Sequence, residues 1–365
     1  MAILTPASDL KKILVSRTDR LGDVILSLPI ATALKKALPN TEVAFLVKPY
    51  TAPITKRITQ IDETFSITSS RKGLHIFKIY KPDAVIFAKP ELQLAIEAVM
   101  AKIDVRIGTG YRYYSGLFTR WVYEHRQKGT KHESEYSVNL LSPLIDQNFE
   151  VEMPSLIVSE IGKIEAENKL KELGIEGKYI VVHPGSFGSS PDYLPEDYAQ
   201  VCLFLLEKHK DLSIVISAGP NEIGIANKVL VNGLNNNSKI KIVSDLSLDA
   251  FSELLRGASL MLGSASGPAH LSALVNTPTV SLFPGLQPMW PARWKPLGKE
   301  VSVLVPHADE PLCIDCNCNR KKEPENCIKR IPSVSYTHLR AHETVLDLVC
   351  RLLLEKKNTH TQFSL

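Results

Sequence analysis

The chain contains no run of about 18 apolar residues, the length a membrane-crossing helix needs. Residues 1–9 lack the basic and apolar regions of a signal peptide. Both absences point to a cytoplasmic protein. Excess charge of either sign is also missing: 43 Lys and Arg stand against 39 Asp and Glu, for a net +4. That balance does not point to nucleic acid, although it suits an acidic ligand. No internal repeat of solenoid period recurs. No Gly-x-Gly-x-x-Gly follows the first apolar run, which argues against a dinucleotide oxidoreductase. Cysteines number six, and four of them crowd into Cys313, Cys316, Cys318 and Cys327. In a reducing compartment these are thiols or metal ligands rather than disulfides. Four thiols suffice for tetrahedral zinc, but the spacing of Cys316 and Cys318 is unusual for such a site. A loop of free thiols is the preferred reading, and zinc the alternative.

What is present is globular: 365 residues, 44% hydrophobic and 22% charged, enough for two ordinary domains. Apolar runs and helix-period stretches alternate. Lys12–Ser16, Glu42–Val47, Glu63–Ile67, Ala84–Ala88 and Val105–Gly108 read as strands. Leu28–Ala37 and Leu92–Ala101 read as helices between them. Asn148–Glu160, with Pro154, reads as a crossing segment. A second series follows, with strands at Tyr179–His183, Ser213–Ser217, Lys241–Val243, Leu260–Gly263 and Thr279–Leu282. Its helices are Glu196–Glu207, Glu222–Asn232, Leu248–Arg256 and Pro268–Val275. Such alternation predicts an α/β chain with two Rossmann-like halves. Ligands of such sheets bind at the carboxyl ends of the strands.

The first loop is the most informative. The strand Ile13-Leu14-Val15 runs into Ser16-Arg17-Thr18-Asp19-Arg20-Leu21-Gly22-Asp23, and a helix-period stretch spans Val24 to Leu38. Asp23 is thereby expected at the start of a helix, where unpaired N–H groups favour a carboxylate. Beside Arg17 and Arg20 it is equally a general base or a helix cap.

Three later loops leave strands in the same way. His183-Pro184-Gly185-Ser186 opens a Gly/Ser loop whose N–H groups and hydroxyls suit phosphate, or simply a turn. Ala218-Gly219-Pro220-Asn221-Glu222 places a carboxylate for a sugar hydroxyl or for capping. Ser266-Gly267-Pro268-Ala269-His270 starts a helix with proline in its first turn, which suits an anion. His270 then lies near a bound phosphate, or packs the helix.

Taken together, Arg17–Pro29, His183–Ser186, Gly219–Glu222, Ser266–His270 and Pro291–Trp294 resemble glycosyltransferase family 9, the ADP-heptose:lipopolysaccharide heptosyltransferases. The resemblance covers residues 11–332. It implies a GT-B fold, two Rossmann-like domains facing each other across a cleft. Residues 11–160 would bind acceptor and 161–332 a nucleotide sugar. It implies an inverting transfer from an ADP-sugar without metal or cofactor, Asp23 being the base. Gly185 and Ser186 would meet phosphate, Glu222 the ribose and Leu246 the adenine. Ser266, Gly267 and His270 would hold the diphosphate. Arg17 and Arg20 would meet an acidic glycolipid acceptor, with peripheral contact at the inner membrane. Two departures bear on the sugar. Ala265 stands where many members have Asp, and Ser190-Pro191-Asp192 before Leu194-Pro195 stands where many have Lys or Arg before Trp-Pro.

From Ser333 the sequence changes character, and Val334–Thr344 resembles translated sequencing-adapter read-through. Residues 333–365 are therefore expected to be foreign to the fold, although Val345, Leu348, Val349, Leu352 and Leu353 would line one helix face. Two rivals to transfer remain: a nucleotide-sugar epimerase or hydrolase, and a non-catalytic nucleotide-sugar-binding protein. Asp23 with a basic acceptor loop favours transfer.

Overall fold

The computed structural model describes residues 6–69, 72–235, 237–284, 289–305, 331 and 349. The cysteine cluster at 313–327 and all of the tail except Val349 lie outside the described residues. The chain divides into two compact units, 1–158 and 159–365.

In the first unit six parallel strands form one sheet: β1 (Lys12–Ser16), β2 (Glu42–Val47), β3 (Glu63–Ser66), β4 (Ala84–Phe87), β5 (Val105–Thr109) and β6 (Arg120–Val122). Their order is β3-β2-β1-β4-β5-β6. The central strands β1, β2 and β4 are apolar along nearly their whole length because helices cover both sheet faces. Edge strand β3 is only half-buried and carries Glu63, Thr64 and Ser66. Leu14, Leu46, Phe77, Val85, Leu94 and Phe118 pack in one of its cores.

The stretch expected as one helix from Val24 is two. Helix α1 is Leu21–Ile25 and α2 is Pro29–Ala37. Pro29 has no N–H to give to the Ile25 carbonyl, so the turn tightens. Leu28 N–H donates to Ile25 O at 3.1 Å, and Ser27 N–H to Val24 O at 3.0 Å. Among the described residues the unit also has the short α-helices α3 (Ala52–Thr55), α4 (Gly73–Tyr80), α5 (Leu92–Met100) and α6 (Glu133–Val138).

The second unit repeats the plan. Its strands are β7 (Lys178–His183), β8 (Leu212–Ser217), β9 (Ile240–Val243), β10 (Leu260–Ser264), β11 (Thr279–Leu282) and β12 (Val301–Leu304). All are parallel, in the order β12-β11-β10-β7-β8-β9. Counted from each unit's first strand, both sheets have the doubly wound order 3-2-1-4-5-6. Its helices are α7 (Glu160–Glu172), α8 (Pro195–Lys208), α9 (Ile223–Val231), α10 (Leu248–Gly257), α11 (Gly267–Leu274) and α12 (Pro291–Trp294). Ile180, Val201, Leu205, Ile214 and Leu262 build its core. Ile331 and Val349 are buried in the same core. A residue of the segment read as foreign thus contributes to the packing.

Strand order reverses beside β1 in one sheet and beside β7 in the other. Those reversal points open a crevice at the carboxyl edge, where ligands of open α/β sheets bind. Every expected site residue described here lies in a loop, or at a helix start, leaving that edge.

Candidate active site

In the first unit the crevice between the ends of β1 and β4 holds a charged cluster. Arg17, one residue past β1, is turned inward and its side chain is only 4% exposed. Its Nη2 donates to Asp23 Oδ1 at 2.7 Å and its Nη1 to Ala88 O at 2.9 Å. Its Nε lies 3.0 Å from Asp19 Oδ1. Buried Glu133 at the head of α6 stands 3.6 Å from Nη2. Arg126 approaches the same group, with Nη1 3.0 Å from Glu133 and 3.4 Å from Ala88 O.

The consequences are electrostatic. Burial opposes the charge of Arg17, yet Asp19, Asp23 and Glu133 outweigh it and raise its pKa. The Asp19 carboxyl is pushed up to about 6, by burial first and then by the charge of Asp23, against the pull of Arg17. Arg17 therefore does not stand free for an acceptor as expected. Its donors are committed to the protein's own groups. Arg20 is exposed at the N-cap of α1 and makes no side-chain cap. Asp23 lies in the first turn of α1. Arg17 holds one of its oxygens, while the side chain keeps 21% exposure. Its main-chain carbonyl is tied to the Ser27 hydroxyl at 2.9 Å. A carboxylate so fixed, yet open to solvent, can take a proton from a bound hydroxyl.

In the second unit the loops after β7, β8 and β10 meet. Glu222, at the N-cap of α9, reaches back into the loop after β7. Its Oε1 accepts from Phe187 N–H at 2.7 Å and its Oε2 from Gly219 N–H at 3.0 Å. His183 Nε2 stands 3.4 Å from Oε2, and its Nδ1 is 3.0 Å from Ser217 Oγ. Burial pushes the Glu222 carboxyl up. The His183 ring and the two N–H groups outweigh that and hold it below the usual carboxylate range. Glu222 thus braces two loops, whatever it offers a ribose.

Ser186 Oγ donates to Ser190 O at 2.7 Å, closing its loop. Ser189 Oγ reaches Ala265 O at 3.3 Å, which brings the Gly185–Ser186 loop to the start of α11. There Ser266 is the N-cap, and its hydroxyl bonds Ser264 O at 3.1 Å rather than the helix. Pro268 has no N–H, and the Ala269 and His270 N–H groups turn back to Ser266 O at 3.1 and 3.4 Å, so it is Gly267 N–H that the start of α11 can offer to a ligand or to water. His270 is buried in the first turn. Gly263, at the end of β10, runs tight against β7: a Cβ there would lie 2.7 Å from His183 O. Leu246 lies half-buried in the loop after β9.

A family model described as glycosyltransferase family 9 (heptosyltransferase) matches residues 75–323. The chain belongs to glycosyltransferase family 9. It is accordingly a glycosyltransferase of GT-B fold. Lipopolysaccharide heptosyltransferase 3 of Escherichia coli is 24% identical over 279 residues, covering 72% of this chain and 80% of that protein. The family 9 glycosyltransferase of Veillonella parvula superposes with a TM-score of 0.77 at 20% identity, over 96% of this chain and 99% of the other. The ADP-heptose heptosyltransferase II of E. coli does so with 0.77 at 19%, over 95% and 99%. Among the described residues of this family 9 chain no helix is long and apolar enough to cross a membrane.

Local sequence pattern does not reveal the partners that hold these side chains. Glu133 and Arg126 lie far along the chain from Arg17, and the sequence shows His183 only as part of a Gly/Ser-loop motif. Glu133 carried a signal of sorts, a carboxylate in the first turn of a short helix.

Proposed function

We propose that this glycosyltransferase moves a heptose, or a related sugar, from an ADP-sugar to lipopolysaccharide core or a related surface glycan, with inversion. Relatives named for ADP-heptose and for lipopolysaccharide support the two substrate classes. The chemistry rests on one observation: Asp23 is oriented by Arg17 at the crevice of its sheet and keeps part of its surface open.

In this reaction the acceptor hydroxyl oxygen attacks the anomeric carbon from the face opposite the diphosphate. Its proton passes to the Asp23 carboxylate. The bond from the anomeric carbon to the diphosphate oxygen breaks, and its electron pair leaves on ADP. The positive end of α11, with Gly267 N–H, Ser266 and His270, receives the charge that develops there. Gly185 and Ser186 border the phosphates. Glu222 holds their loop in shape, and Leu246 packs near the adenine. These contacts stabilise the leaving group without a metal ion. Arg20, exposed before α1, meets acidic groups of a glycolipid acceptor presented at the inner face of the cytoplasmic membrane. Ala265 leaves the sugar without the carboxylate contact usual in the family.

Asp23→Asn tests the proposal directly. Transfer from ADP-heptose to de-acylated lipopolysaccharide core should fall by about 10²–10⁴-fold, the usual cost of losing a positioned base. ADP affinity should stay within a few-fold. Turnover close to wild type would overturn the assignment.

A further inference from the structure

The loop between β5 and β6 and the residues after β6 carry an aromatic surface that the reaction above does not use. Tyr111 stacks on His125, with ring centroids 4.3 Å apart and 24° between planes. Tyr123 meets Tyr111 edge-on at 5.6 Å. These rings are not loose. A Cβ at Gly110 would overlap one edge of the Tyr123 ring, so the ring lies against main chain. Gly110 N–H in turn extends the sheet by bonding Val122 O at 3.0 Å. Trp121, in β6 two residues before Tyr123, is anchored through Nε1 to Ser115 O at 2.7 Å. Despite this support Tyr111 remains 47% exposed and Tyr123 66% exposed. Rings fixed in place yet left bare form a preorganised contact surface.

Position says what it contacts. Strands β1, β4, β5 and β6 are successive neighbours, and Arg17, Ala88, Gly110 and Tyr123 each follow the end of one of them. At about 4.8 Å per strand, the rings lie roughly 10–15 Å along the carboxyl edge from the Asp23 loop. Arg126, the residue after His125, spans part of that interval to the Ala88 carbonyl. A short oligosaccharide has that reach. Sugar rings present flat C–H faces to aromatic rings and hydroxyls to phenol and imidazole edges. The exposed side chains of residues 110–125 are Tyr111, Arg112, Tyr113, Trp121, Tyr123 and His125, with no aliphatic residue among them. Insertion into a bilayer favours apolar side chains such as Leu and Phe beside basic ones. A glycan fits better.

We infer that Tyr111, Tyr123 and His125 form a stacking shelf that seats sugar residues of the acceptor glycan, beside the one whose hydroxyl reacts. The inference rests on the transfer reading and names the part of the acceptor that these residues recognise. De-acylated lipopolysaccharide core oligosaccharide is the probe. Tyr111→Ala and Tyr123→Ala should each raise the acceptor KM and the oligosaccharide Kd about tenfold, with kcat and ADP affinity little changed. Tyr111→Phe and Tyr123→Phe should stay near wild type. In wild-type protein, saturating the aromatic protons by NMR should transfer to the sugar C–H protons, a readout independent of whether the alanine variants fold.

Unchanged acceptor KM in the alanine variants would overturn the shelf. So would absence of saturation transfer, or failure of the wild type to bind the oligosaccharide. Loss of binding to phosphatidylglycerol vesicles in the alanine variants, with oligosaccharide binding intact, would assign the surface to the membrane instead. Tyrosine-dependent oligosaccharide binding in a chain that transfers nothing from ADP-heptose would sink the transfer reading and leave the shelf standing.

Discussion

The carboxylate of Glu222 occupies the space that a side chain at Gly185 would need. A Cβ built on Gly185 overlaps Glu222 Oε1, and one on Gly219 would lie 2.7 Å from Oε2. Two glycines in separate loops thus flank one carboxylate, which ties the loops through Phe187 and Gly219 N–H groups. The glycines in the loops after β7 and β8 make room for a protein carboxylate.

This relationship predicts a coupled pair. Gly185→Ala should weaken ADP binding about tenfold by expelling Glu222 from its two hydrogen bonds. Glu222→Ala should cost a similar amount. The double variant should be little worse than either alone, because both lose the same brace. Calorimetric ADP titration of the four proteins measures the coupling. Additive losses would show that Gly185 acts on the nucleotide independently.

Asp19 predicts a pH dependence. Its folded pKa of about 6 lies above the usual carboxylate value. The folded state therefore binds a proton that the unfolded chain has already released. Stability should be highest near pH 4 for this group and fall as pH rises through about 6, by of the order of 1–3 kcal/mol. Asp19→Asn should lack that decline. Urea unfolding of both proteins from pH 4 to 7 checks the sign, and parallel curves would refute it.

His270, buried in the first turn of α11, should matter to the diphosphate. ADP is expected to raise the melting temperature, and His270→Ala to lower ADP affinity about tenfold, the cost of one hydrogen bond to a charged group. Thermal shift against ADP and UDP reads both the effect and the base preference. A full shift in the variant would leave His270 as packing.

Val349 belongs to the second core. Val349→Ala should destabilise the protein by about 1–2 kcal/mol, the value of the buried methyl groups removed. A neutral result in urea unfolding would refute the contribution of Val349 to that core.

The central strands were legible because a strand buried on both faces must be apolar throughout, as Ile13-Leu14-Val15 is. Edge strands escape that rule. Arg120-Trp121-Val122 is three residues long and only its last is buried, so nothing in its pattern marks β6. The break in the first helix was legible in Pro29 but is masked by the apolar period that continues through it. In the site, the loop residues could be named from turn chemistry, whereas their partners could not. That Arg17 faces inward depends on Glu133 and on the carbonyl of Ala88, and no local spacing encodes contacts made by chain closure over such separations. Basic residues near a carboxylate look alike on paper, and burial alone separates Arg17 from Arg20.

The point on which Arg17 and Arg126 converge, Ala88 O, is a main-chain atom. Side-chain replacement at position 88 leaves that oxygen in place so long as the strand end keeps its path. The anchor of the charged cluster is thus carried by topology and not by residue identity. The tether shared by Arg17 and Arg126 therefore survives a change of side chain at position 88 and is lost only when the strand end shifts.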